Sequence, residues 1–266
     1  GTCYACVVRC KRIVEVAEGE FKTDPVYGGP EYETAGALGS NCGVGDLAAV
    51  AKGNAICNAA GLDTIGGGMM VSFAMECFEE GILTQADCGG RPLRFGDAEA
   101  MLRLIEDIAH QRGLGRILAK GVQAAAAEIG RGAGQFAFHI KGNELPFHDG
   151  RGKTGMAMGY ALSATGADHV ECPHDVAFQG EAVSKLHPLG LTTPVQPLET
   201  DADKARFFHL GQKAWTVNNV LSLCNFTSVP IHAMTFARLV EAVAAITGWD
   251  TSLYELMLAS ERSLTM

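Results

Sequence analysis

Asp46-Leu47-Ala-Ala-Val50-Ala51-Lys52-Gly-Asn-Ala-Ile56-Cys-Asn58-Ala-Ala60-Gly61 decides the fold class. Leu47, Val50, Ala51 and Ile56 recur at helical spacing, and Gly61 supplies a stop, so residues 46–60 are predicted as a helix. Working outward, the same periodicity returns repeatedly. Residues 69–80 are apolar all round and read as a buried helix. Residues 97–111 carry Met101, Leu104, Ile105 and Ile108 on one stripe, ended by Gly113. Residues 117–129 form an Ala-rich helix closed by Gly130, and residues 203–223, 235–247 and 251–264 read as three more. Only residues 136–140 alternate like a strand. Residues 141–177 hold many Gly, His and Asp and little periodicity, as a functional loop region does. The predicted class is mainly α, multihelical, with little β.

With 266 residues, 47% of them hydrophobic and 19% charged, the chain suits one large domain or two smaller ones with a real core. A net charge of −9 argues against nucleic acid or an anionic membrane as partner. No apolar run approaches the roughly 20 residues that span a bilayer. Cysteine is present nine times, an odd number, without a signal-type segment. That favours reduced thiolates in a cytoplasmic compartment over a disulfide scaffold. The first motif begins at the third residue and the last helix is still running at the end, so both ends read as cuts in a longer polypeptide.

Cys3-x-x-Cys6-x-x-x-Cys10 is the strongest chemical signal. Three thiolates on one short segment can hold three corners of a [4Fe–4S] cubane, with a fourth ligand from elsewhere. Zinc is the rival, but no second Cys/His pair follows at finger spacing. His169-x-x-Cys172-x-His174-Asp175 contains possible metal ligands too. Its spacing fits no finger pattern, and these residues read better as the wall of a site, leaving open whether His174 and Cys172 bind metal. Gly150-Arg-Gly152-Lys153-Thr154 imitates the end of a phosphate-binding loop. It fails because Phe147 stands where the first glycine must be and no strand precedes it. The Gly66-Gly67-Gly68 run at a helix start suits an anion or close packing, and packing is preferred.

Cys3-Tyr-Ala-Cys6-Val-Val-Arg-Cys10 resembles the cluster loop of aldehyde ferredoxin oxidoreductases. Gly29-Pro-Glu31-Tyr-Glu33-Thr and Leu38-Gly-Ser-Asn41-Cys-Gly43 are similar to that family's next segment. Asn58-Ala-Ala-Gly61-Leu62-Asp63 resembles its first pterin motif, Lys141-Gly-Asn-Glu144-Leu-Pro146 a later signature, and Gly166-Ala-Asp-His169 its histidine loop. Asn219-Val-Leu-Ser222-Leu223-Cys224 sits where the second pterin motif belongs. The motifs occur in family order from end to end, which makes the resemblance specific. Asn58 and Asn219 replace acids and Ser222 replaces a glycine, which are departures; an amide can still pair with a pterin edge, without charge.

The resemblance implies two helical domains, 1–140 and 141–266, lacking the family's N-terminal β-rich domain. It implies a bis-pterin cofactor with tungsten, or else molybdenum, contacted by Asn58, Gly61, Leu62, Asp63, Asn219 and Leu223, the metal itself having no protein ligand. Cys224 becomes the fourth ligand of the cluster begun by Cys3, Cys6 and Cys10. Glu33 and His169 become the catalytic pair: a carboxylate to take a proton from water, an imidazole to hydrogen-bond the aldehyde oxygen. The implied reaction oxidises a small aldehyde to a carboxylic acid, with ferredoxin or another iron–sulfur carrier accepting electrons. The isolated chain is expected to be inactive. A relative with another low-potential reaction, such as a tungsten-dependent ring-reducing acyl-CoA reductase, is the alternative; a non-catalytic metal-binding module is the other. Some family members bridge two subunits by an iron held by Glu and His. The matching positions here are Lys52 and Leu102, so a homodimer would have no bridging metal.

Overall fold

The computed structural model describes residues 1–227 and 234–266. Its regular elements are mainly helices, and among the described residues the strands form one hairpin, His139–Ile140 paired antiparallel with Asn143–Glu144. The mainly α, multihelical expectation holds. No helix among the described residues is long and apolar enough to cross a membrane. The chain divides into two compact units. One comprises Gly1–Cys3, Arg9–Phe147 and Thr165–Ala167; the other comprises Tyr4–Val8, His148–Ala164 and Asp168–Met266.

In the first unit the helix Leu47–Ala60 starts on Asp46, whose carboxylate accepts from Ala48 and Ala49 N–H. It ends at Gly61 in the left-handed conformation, as its sequence predicts. Val50 and Ala51 are buried, but Leu47 is 79% exposed, a correction to the expected stripe: as the first helical residue it lies before the turn that faces the core. The next helix, Thr64–Glu79, begins earlier than its apolar periodicity suggests. Asp63 caps it through Gly66 N–H at 2.6 Å. Its glycines allow close approach, since a Cβ on Gly68 would stand 2.6 Å from Ala37, so packing explains that glycine. Met101, Leu104, Ile105 and Ile108 of the helix Ala98–Ala109 are all buried in the same core.

Three expectations about elements need correction. The single helix over 117–129 is two, Leu114–Leu118 and Val122–Ile129, broken at Gly121 with φ +85°. Of the alternating residues 136–140, Phe136 ends the short helical turn Ala133–Phe136, 137–138 are irregular, and only His139 and Ile140 enter the hairpin. The loop region 141–177 contains a helix, Thr154–Leu162. Its glycines lower helix propensity but let one face press close against Cys172 and Asp175. A Cβ on Gly155 would lie 2.5 Å from Asp175 Oδ1, and one on Gly159 would lie 2.6 Å from Cys172 Sγ.

The second unit centres on the helix Ala202–Val220, along which Leu253–Thr265 packs. Val217, Leu239, Val243 and Leu256 form one apolar cluster, and Phe178, Leu186, Leu191, Val195 and Phe207 another. A fully buried ion pair joins Asp175 to Lys204. Gly155 N–H also donates to Asp175 Oδ2 at 3.0 Å, which ties the Gly-rich helix to the same carboxylate.

Candidate functional site

In the first unit Glu33 belongs to a short helical turn, Tyr32–Thr34, that runs into a π-helix, Ala35–Ser40. The wide turn is visible in Asn41 N–H donating to Gly36 O at 2.9 Å and Val44 N–H to Gly39 O at 2.9 Å; such bulges recur at functional positions. Phe147 is fixed against this segment. Its N–H donates to Glu33 Oε2 at 2.7 Å, its carbonyl accepts from Tyr32 Oη–H at 3.0 Å, and its ring would meet a Cβ on Gly36 at 2.8 Å. One carboxylate oxygen of Glu33 is thereby held by a backbone donor. Glu31, by contrast, pairs with Arg12 at the surface.

The two regions assigned to pterin contacts have one geometry. After the helix Leu47–Ala60, Gly61 N–H donates to Asn58 O at 3.4 Å and Leu62 N–H to Cys57 O at 2.8 Å. After the helix Ala202–Val220, Ser222 N–H donates to Asn219 O at 3.1 Å and Leu223 N–H to Asn218 O at 2.8 Å. Gly61 has φ +68° and Ser222 φ +55°. Both are the left-handed closure of a helix by paired return bonds. In each turn the Asn, the left-handed residue and the final residue are exposed, while Leu62 or Leu223 is half-buried against its own unit's core. Asn58 Nδ2 donates back to Asn54 O at 2.8 Å. Asp63 also caps the following helix, so its carboxylate serves the fold as well as any ligand. The glycine that Ser222 replaces stands at a left-handed position, and Ser222 adopts the same conformation at a cost of roughly 1–2 kcal/mol.

None of the nine cysteines forms a disulfide. Cys3, Cys10 and Cys224 are exposed and Cys6 half-buried. Cys3 and Cys10 fall in the first unit, Cys6 and Cys224 in the second. Ala5 and Arg9 beside the first three also have positive φ, +53° and +52°, so the segment turns sharply between its thiols. Cys42, Cys57 and Cys172 are buried, and burial pushes each thiol up to about 12. Cys77 is buried as well, and burial pushes Cys77 and the half-buried Cys88 up to about 11, so the exposed Cys3, Cys10 and Cys224 stand apart from the thiols kept protonated by burial. Cys172 belongs to the buried set, with its Sγ at 3.8 Å from Gly155 O.

His169 lies in a loop of the second unit pinned on three sides. Asp168 Oδ1 accepts from Val170 N–H at 2.8 Å, Trp215 Nε1–H donates to Val170 O at 2.7 Å, and His174 Nε2 contacts His169 O at 2.9 Å. His148 packs its ring 4.7 Å from His169 and 4.5 Å from His174. Lys153 Nζ lies 2.7 Å from His148 Nδ1 and 3.2 Å from His174 Nδ1. Burial, then the Lys153 ammonium, lowers His148 to about 3, and burial likewise lowers His174. Sequence reasoning missed His148 and dismissed Lys153 with the failed phosphate loop. The available signal was His148 lying two residues after the Lys141-to-Pro146 signature. In the first unit Glu144 of that signature caps the helix Val122–Ile129 by accepting from Val122 N–H at 2.7 Å. Asn143 Nδ2 reaches Ala167 O at 3.3 Å, steadying the start of the histidine loop.

A family profile described as aldehyde ferredoxin oxidoreductase, domains 2 & 3, matches residues 1–266. The chain belongs to the aldehyde ferredoxin oxidoreductase family. It is 32% identical over 261 residues to a tungsten-containing aldehyde ferredoxin oxidoreductase of Thermococcus kodakarensis, covering 98% of this chain and 40% of the relative. The protein so described in Pyrococcus horikoshii is 31% identical over 264 residues, with the same 98% and 40% coverage. The chain thus spans about 40% of the length of these curated relatives. An aliphatic sulfonate oxidoreductase, WOR-like subunit, of Pyrococcus furiosus is 32% identical over 172 residues, 62% of this chain and 27% of that one. Among solved structures, the active site complex BamBC of benzoyl coenzyme A reductase in complex with 1,5-dienoyl-CoA matches with a TM-score of 0.74. It covers 99% of this chain and 43% of that one at 20% identity, a likeness of fold.

Proposed function

We propose that this chain is the cofactor-holding helical part of an enzyme that oxidises small aldehydes to carboxylic acids and passes the electrons to ferredoxin or a similar carrier. The observation that carries the reading is the pair of matching turns at 58–63 and 219–224, exposed on their polar residues and anchored by Leu62 and Leu223. Asn58, Gly61, Leu62, Asp63, Asn219 and Leu223 would hold a bis-pterin tungsten or molybdenum cofactor, and Cys3, Cys6, Cys10 and Cys224 a [4Fe–4S] cluster. The exposed thiols of Cys3, Cys10 and Cys224, the half-buried Cys6 and the exposed polar residues of the turns fit those groups. Bound there, such a centre would supply two-electron redox chemistry and the cluster one-electron transfer. The N-terminal β-rich domain of the family would supply the remaining cofactor contacts.

Glu33 then acts as the base that removes a proton from water as its oxygen joins the carbonyl carbon. Its Oε2 is held by Phe147 N–H, which keeps the carboxylate oriented while it collects the proton. His169 donates a hydrogen bond to the aldehyde oxygen as charge develops there, from a loop whose backbone is pinned by Trp215 and His174. The balance is an aldehyde plus water giving a carboxylic acid, two protons and two electrons. A second reading, a family member with a different substrate, is favoured by the 32% identity to the sulfonate oxidoreductase subunit.

The test is anaerobic assay of the full-length protein with a panel of small aldehydes and a low-potential electron acceptor. Turnover that Glu33→Gln lowers by about 10²- to 10⁴-fold, with metal content kept, supports the reading. Failure with every aldehyde in a fully metallated protein would move the assignment to the second.

A further inference from the structure

We propose that Lys153 is a positioning residue for His169, acting through His148 and His174; the inference rests on the aldehyde-oxidising reading. Lys153 occupies the cap position of the helix Thr154–Leu162 and makes no side-chain cap bond there. Ser, Thr, Asp or Asn is the usual choice at that place, and a cation opposes the helix dipole. The side chain instead reaches two imidazoles, His148 Nδ1 at 2.7 Å and His174 Nδ1 at 3.2 Å.

An ammonium has three donors and no acceptor. Both Nδ1 atoms must then accept, so both rings carry their proton on Nε2. For His174 that proton points to a partner, His169 O at 2.9 Å. For His148 the same tautomer fixes a ring packed against the His169 ring, 4.7 Å away and tilted by 34°. One ammonium thus sets two tautomers; one of those rings grips the His169 backbone and the other supports its side chain. This is the arrangement by which a neighbour outside the reacting atoms orients a working imidazole.

The other groups facing the pair act in both directions. His148 meets His174 and His169 as well as Lys153. His174 meets His169 and Asp175, and that carboxylate is already paired with Lys204. Burial and the Lys153 charge both disfavour a second proton on either ring. With the Lys153 ammonium donating to both Nδ1 atoms, neither ring has room for a second proton there and His169 has no imidazolium pressed against it.

The experiment uses the full-length metallated enzyme with ¹⁵N-labelled histidine, as Lys153→Met, Lys153→Arg and Lys153→Gln, with His148→Gln and His174→Gln to assign the signals. In the unaltered protein both rings should stay neutral Nε2–H tautomers between about pH 5 and 8. In Lys153→Met at least one should change tautomer or titrate in that range, and Lys153→Arg should restore the original state. With an aldehyde substrate, kcat/KM of Lys153→Met should fall about 10- to 100-fold, as for other orienting neighbours, with a new ionisation on the acid side. Lys153→Gln fills similar space and carries the same readouts if the Met variant fails to fold. Unchanged tautomers together with an unchanged pH profile would overturn the proposal, whatever the loss of rate. The aldehyde reading fails separately, by the absence of turnover with every aldehyde in the fully metallated protein, and the histidine spectra still decide the role of Lys153.

Discussion

Gly61 and Ser222 occupy equivalent places in two separate helix-closing turns, with φ of +68° and +55°. Each comes three residues after an Asn and directly before a half-buried leucine, and the return hydrogen bonds correspond one to one. A left-handed residue is inexpensive as glycine and strained as serine. Ser222→Gly should therefore stabilise the second unit by up to about 1 kcal/mol. Gly61→Ser should destabilise the first by a similar amount. Thermal unfolding of the full-length protein checks both; a stabilising Gly61→Ser would refute the matched geometry.

Gly155 stands where an added Cβ would meet Asp175 Oδ1 at 2.5 Å, beside a carboxylate fully buried with Lys204. Lys204→Met would leave that carboxylate buried without its cation, a loss of about 3–5 kcal/mol. Gly155→Ala should force the helix Thr154–Leu162 away from Asp175 and cost at least about 1–3 kcal/mol. Denaturant midpoints with unchanged slopes would measure these losses. Near-native stability of Lys204→Met would mean that Asp175 is not held as described.

Folded His148 is lowered from its ordinary 6.5 to about 3. Between those values the unfolded chain binds a proton that the folded chain refuses, so this group withdraws stability as pH falls from about 6.5 toward 3 and has no such effect above 6.5. His148→Gln should flatten that acid-side decline relative to the unaltered protein. Parallel stability curves through this window would contradict the assigned environment of His148.

Thiol reactivity should divide the cysteines. With the cluster removed by chelation and oxidation, Cys3, Cys6, Cys10 and Cys224 should be alkylated rapidly. Cys42, Cys57 and Cys172, buried and pushed up to about 12, should react only on unfolding. With the cluster in place the first four should be protected. Mass-spectrometric mapping in which Cys224 reacts equally in both forms would remove it from the ligand set.

Much of this architecture is legible in the sequence because it is written in local chemistry. The capping residues Asp46 and Asp97 and the closing Gly61 mark helix ends directly, and the stripe from Met101 to Ile108 marks a buried face. The features that escaped reading depend on contacts made far along the chain. The helix Thr154–Leu162 looks like loop because its glycines are there for Asp175 and Cys172, residues that come later. The start of the helix Thr64–Glu79 was hidden because Gly68 is chosen for Ala37 and not for helix propensity. The Lys153–His148–His174 arrangement was invisible for the same reason: each residue is ordinary alone, and only the fold of the second unit gathers them.

The most direct test of the central claim is the metal, sulfide and pterin content of the full-length protein purified without oxygen, alongside its Cys224→Ser variant. The account predicts about four irons with acid-labile sulfide for each tungsten or molybdenum and its paired pterins, with iron lost or depleted in Cys224→Ser. A protein that carries a single zinc and no pterin, or whose iron is indifferent to Cys224, would contradict it.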